Sequence, residues 1–169
     1  MGRGIYDSDD MKMKYTGMIL EGSRIKEMGP FRNWGPAYPG ARVMDFSDCY
    51  ILPGLVNTHV HLEFTPCRDT YGIYRREDRK TRLARAVEHA GTLLRSGVTT
   101  VRDAGSSMEL IGALRGGDAG AKPGTELPRI QVAGMPLTPD GGHLAFLGKS
   151  VQRYGGIDTG CKRTEVSGL

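Results

Sequence analysis

The chain has 169 residues, enough for a domain with its own core but short of the about 250 that a closed eight-stranded βα barrel takes. Its 25 glycines and 9 prolines are scattered as turn punctuation, which excludes a low-complexity or repeat protein, and its net charge of +4 is concentrated between positions 68 and 85. No apolar run approaches the about 20 residues that cross a bilayer. Three cysteines without paired spacing (Cys49, Cys67 and Cys161) exclude a disulfide framework, and the first residues lack the apolar core of an export signal. A cytoplasmic protein with no membrane partner is expected. The basic cluster (Arg75, Arg76, Arg79, Lys80, Arg82 and Arg85) has no aromatic stacking set beside it. It therefore reads as a solvated loop and helix face, and no nucleic-acid partner is expected.

In chain order, residues 1–15 are polar and irregular and are expected to be loosely ordered. Residues 16–20 and 24–28 read as a hairpin around Glu21-Gly22-Ser23. Residues 31–40 read as a loop, and 42–46 and 50–52 as short extended runs. Together these predict a small antiparallel sheet. Pro53-Gly54 then marks a turn, and the apolar-rich run from Leu55 to Leu62 a strand. Residues 65–78 form a long polar connection. Residues 80–96 are the clearest helix, with Leu83, Val87, Ala90 and Leu94 as its apolar stripe and Gly97 as its stop. His89 lies off that stripe and is expected at the surface. The β-branched run 98–102 is a strand ended by Asp103-Ala104-Gly105. Ser106 or Ser107 is placed to cap a helix over 108–115. A glycine-rich loop (116–128) and a third strand (130–133) follow, and 135–169 is too broken by Gly and Pro for a regular period. Strand, helix, strand, helix, strand implies parallel pairing with crossovers.

The chemistry centres on His59-Val60-His61. Side chains alternate along a strand, so both imidazoles project to one side. Two imidazoles side by side at a strand end are natural ligands for Zn²⁺ or a similar divalent ion. Glu63 is placed either to orient a ligand imidazole or to face solvent. Asp103, at the end of the second strand, is expected to cap the turn or orient a neighbour. His143, on a glycine-rich loop, is expected either to contact substrate or to cap nearby backbone.

Three stretches carry a resemblance. PGLVNTHVHLEF (53–64) resembles the first barrel strand of the amidohydrolase superfamily, and GVTTVRDAG (97–105) the second strand and its exit. LPRIQVAGMPLTPDGGH (127–143) resembles the third strand and Gly-Gly-His loop of the branch holding imidazolonepropionase-like enzymes and metal-dependent Xaa-Pro dipeptidases. The resemblance implies an α/β fold: an incomplete (β/α)₈ TIM-type barrel of the first three βα units, residues 53–169, preceded by part of a small antiparallel β-sandwich, residues 1–52. It implies a divalent metal, Zn²⁺ by preference, held by His59 and His61. His143 would contact a small-molecule substrate with a C–N bond, a cyclic amide or a dipeptide. The family's lysine, its two later histidines and its catalytic aspartate have no matching positions here. No catalytic residue is therefore assigned, and the chain is expected to be inactive alone. A deaminase of the same superfamily is the near alternative. A non-catalytic fragment relying on a complementing chain or a homo-oligomer is the distant one.

Overall fold

The computed structural model describes residues 1–34, 37–115, 125–139, 142–150 and 152–154. The glycine-rich loop 116–124 and the tail 155–169, with Cys161, lie outside the described residues. The chain divides into two compact units, Met1–Pro53 and Gly54–Leu169.

In the first unit, β1 (Gly2–Asp7), β2 (Lys12–Tyr15) and β5 (Phe46–Ile51) form one sheet in the order β2-β1-β5. The strands β3 (Gly17–Glu21) and β4 (Arg24–Gly29) form a hairpin. The hairpin lies where the sequence places it, with Gly22 at φ +60° in its two-residue turn. The first fifteen residues do not: they hold two strands, and β1 is the central one. Its partners, not apolar alternation, set it. A Cβ on Gly2 would stand 2.8 Å from Ile51 and one on Gly4 3.2 Å from Tyr50, so the bare backbone lets β5 close against it. Pairing of β1 with β5 is parallel, which makes the sheet mixed and not antiparallel. Residues 42–45 are not a strand. Pairing begins at Phe46, whose N–H donates to the Met1 carbonyl (2.8 Å).

In the second unit, β6 (Leu55–Val60), β7 (Val98–Asp103) and β8 (Arg129–Val132) form a parallel sheet in that order. The helices α2 (Arg79–Arg95) and α3 (Met108–Arg115) connect its strands, as the alternating pattern predicts. The core is Leu62, Ala86, Ala90, Val101 and Leu110, flanked by Val60, Leu83, Leu93, Val98, Leu127 and Ile130. The buried face of α2 keeps Leu83 and Ala90 of the expected stripe and is rotated away from Val87 and Leu94. Ala86, Ala90 and Gly91 are its buried residues, because small side chains let a helix lie close to its neighbours, and Val87 and Leu94 are left outside the core.

The connection 65–78 is not a plain loop. It contains α1 (Thr70–Arg76), capped by the Asp69 carboxylate on Gly72 N, and Asp78 then caps α2 through Thr81 N (2.7 Å). Beyond β8, β9 (Leu137–Pro139) pairs in parallel with β10 (Gln152–Tyr154), and a 3₁₀ turn, Ala145–Ser150, lies between them. Among the described residues, no helix is long and apolar enough to cross a membrane.

Candidate metal centre

The pleat of β6 sets the geometry. His59 is exposed within the strand and His61 is half-buried one residue past it. Their rings meet edge to face, centroids 5.2 Å apart. The His61 Nδ1 lies 2.8 Å from the carbonyl oxygen of Gly105. A carbonyl only accepts, so a hydrogen bond at this distance requires the tautomer with its proton on Nδ1, the one that leaves the Nε2 lone pair open. Two imidazoles on one tetrahedral Zn²⁺, at Zn–N about 2.0–2.1 Å, have ring centroids about 5 Å apart, so this pair fits such an ion. Among the described residues no group of three or more His, Cys, Asp or Glu side chains is placed to hold a metal. The two imidazoles are fewer than the three protein ligands that a catalytic Zn²⁺ usually takes.

The residues after His61 are held peptide by peptide. The Leu62 N–H donates to Asp103 Oδ2 (2.9 Å), and His89 Nδ1–H donates to the Leu62 carbonyl (2.8 Å). The Glu63 carbonyl accepts from Arg85 Nη1 (3.0 Å). Sequence reasoning missed two of these pins. Expected at the surface, His89 instead reaches in from α2. Arg82 and Arg85, read as part of a solvated face, are mostly covered. Arg85 also pairs with Glu77, while Arg82 lies over the Tyr74 ring (4.6 Å) and donates to the Glu77 carbonyl (2.7 Å).

Glu63 neither touches an imidazole nor faces solvent; it is 1% exposed. Its carboxylate accepts from Ser107 N and from Ser107 Oγ (2.8 Å). Ser107 in turn accepts from Leu110 N (3.3 Å), as the cap of α3. The carboxylate therefore sits at the positive end of that helix. Burial pushes its pKa up from the ordinary carboxylate value, opposed by the two Ser107 bonds and the Arg82 guanidinium. Glu63→Ala would leave Ser107 N and Oγ without their acceptor, at a cost of about 2–3 kcal/mol, and Glu63→Gln about half that. Urea unfolding measures the loss, and faster amide exchange at Leu110 would place it at the start of α3.

Asp103 is the structural group the sequence predicts. It caps its own turn through Gly105 N (3.2 Å) and also accepts from Ser106 Oγ (2.5 Å). His143 is exposed in the turn that brings Ala145 N to the Gly142 carbonyl (3.1 Å). The 3₁₀ turn that follows it approaches His61 through aromatic rings. Phe146 packs on Phe64 and Tyr74, and Phe64 stacks on His61 (5.3 Å, 28°).

A family model described as "Amidohydrolase family" matches residues 50–137, just over half of the chain. The chain belongs to the amidohydrolase family, which generally works with a divalent metal. Among curated proteins, a 5'-deoxyadenosine deaminase of Methanococcus maripaludis is 28% identical over 104 residues, covering 53% of this chain and 25% of that protein. Among solved structures, molinate hydrolase is 28% identical with a TM-score of 0.61, covering 80% of this chain and 29% of that one. Phenylurea hydrolase B is 31% identical with a TM-score of 0.51, covering 70% and 27%. The chain thus spans between a quarter and three-tenths of the length of these proteins.

Proposed function

We propose that the chain carries the first metal-binding strand of a divalent-metal-dependent amidohydrolase acting on a C–N bond. In this reading residues 53–169 are the first three βα units of a (β/α)₈ barrel, and residues 1–52 are part of a small β-sandwich. His59 and His61 hold the ion, with Zn²⁺ matching two imidazole donors. His143 contacts the substrate, and the Gly-Gly-His loop favours a cyclic amide or a dipeptide. The observation that carries the reading is the His59–His61 pair, at 5.2 Å, with the His61 Nδ1 engaged by Gly105.

An ion held there supplies Lewis acidity and acidified water. The chain's own contribution is orientation. His61 is fixed by a backbone carbonyl and by a stacked ring, so one nitrogen stays free to ligate. Phe64 stacks on that ring, and Tyr74 and Phe146 pack in turn on Phe64. With two ligands and no assigned base, these residues alone are proposed not to turn a substrate over. The 28% identity to a deaminase favours a second reading, in which the same pair serves deamination of a purine nucleoside.

Calorimetric titration of the purified chain with Zn²⁺ tests the reading. One site is expected. His59→Ala and His61→Ala should each weaken it by more than the roughly 10–100-fold that losing an outer hydrogen bond costs. Unchanged uptake by the double variant would refute it.

A further inference from the structure

A neutral histidine exists as two tautomers, and only the form with its proton on Nδ1 presents Nε2 to a metal. In this chain that choice falls on one backbone carbonyl. The ladder between β6 and β7 runs on for one bond past the strand, from Ala104 N to the Val60 carbonyl (2.8 Å). The chain then turns. Gly105 N–H donates to Asp103 Oδ1 (3.2 Å), and the Gly105 carbonyl faces His61 Nδ1 at 2.8 Å.

Two independent observations make residue 105 special. Its φ is +148°, a conformation that L side chains rarely adopt. A Cβ there would also stand 3.3 Å from the Pro136 Cβ, tighter than ordinary contact. Any side chain would therefore rotate the peptide or push it off Pro136, and the carbonyl would move with it.

We infer that Gly105 is a positioning residue for His61: its carbonyl, available only because position 105 has no side chain, fixes the Nδ1–H tautomer and frees Nε2. This rests on the reading of His61 as a metal ligand. It adds that the tautomer is set from the exit of the second strand, before any ion arrives.

Long-range ¹H–¹⁵N spectra of the ¹⁵N-labelled chain, recorded without metal, test it. His61 is expected with its proton on Nδ1 by on the order of tenfold, the bias of about one net hydrogen bond. Gly105→Ala should erase that bias. Gly97→Ala is the control for backbone strain: Gly97 sits at φ +93° with no atom near its missing Cβ, and its substitution should leave the His61 spectrum unchanged. Wild-type His61 with its proton on Nε2 overturns the proposal even if Gly105→Ala fails to fold. So does a folded Gly105→Ala with the wild-type signature. In a Zn²⁺ titration, Gly105→Ala should bind about 10–100-fold more weakly and Gly97→Ala as the wild type does. A wild-type chain that shows the Nδ1–H tautomer but takes up no Zn²⁺ supports the positioning role and overturns only the metal reading.

Discussion

Asp103→Ala is expected to destabilise the second unit by about 3–5 kcal/mol, because it leaves three buried donors without their acceptor. Asp103 is 1% exposed, so no water stands ready to replace it. Its two oxygens serve three donors: Leu62 N, Gly105 N and Ser106 Oγ. Each donor left unpaired in the interior costs about 1–3 kcal/mol, and because they share one acceptor group their losses will not simply add. Asp103→Asn sharpens the test. Its amide keeps one oxygen, so one –NH₂ must face a backbone N–H, that of Leu62 or that of Gly105. About half the alanine loss is expected. Urea unfolding gives both numbers, and amide exchange at Leu62 reports where the structure opens. A loss below about 1 kcal/mol for alanine would mean that the turn holds without the carboxylate. The same variant should weaken Zn²⁺ binding, because Asp103 holds both the peptide that follows His61 and the turn that presents the Gly105 carbonyl.

Parts of this arrangement are legible in the sequence for plain reasons. The alternation of a strand puts His59 and His61 together whatever packs around them. Gly97 ends α2 and Ser107 caps α3 through local backbone geometry, which neighbouring residues encode. What is not legible depends on backbone acceptors, which have no letter of their own. His89 looks like a surface residue because hydropathy places the stripe of α2 on its bulky residues. The real inner face runs through Ala86, Ala90 and Gly91. Position 89 lies one turn from Ala86, so His89 reaches the Leu62 carbonyl. Glu63 could not be assigned its partner for a similar reason, since Ser107 is 44 residues away and the carboxylate meets it through a helix start. Arg82 and Arg85 look like part of a charge run, yet two of the groups they bind are the carbonyls of Glu77 and Glu63. In the first unit the strand β1 was hidden because glycines, not apolar residues, make its contact with Ile51 and Tyr50. The caps at Asp69 and Asp78 are local signals, but the polarity of residues 65–78 masks the helix between them.

Trp34→Ala is expected to cost the first unit about 3–5 kcal/mol, as for other buried aromatic truncations. Trp34 is 6% exposed and its indole lies over both strands of the β3–β4 hairpin. A Cβ on Gly17 would stand 2.5 Å from the ring and one on Gly29 3.2 Å from it. Its Nε1–H donates to Glu27 Oε1 (3.2 Å), which fixes the ring along the hairpin. Both the packed area and the hydrogen bond go in alanine, while Trp34→Phe keeps most of the first and should lose less. The glycines give this prediction its own control. Gly17→Ala in the wild type must displace the indole and should be strongly destabilising. In the Trp34→Ala background the same methyl enters the space the ring has left and partly refills it. The double variant should therefore be more stable than the sum of the two single losses, by on the order of 1–3 kcal/mol. Far-UV circular dichroism in urea is the suitable probe, since the chain has a single tryptophan and the variant removes it. Additive losses would mean that the indole does not rest on Gly17, and that the hairpin is held by its own ladder and turn instead.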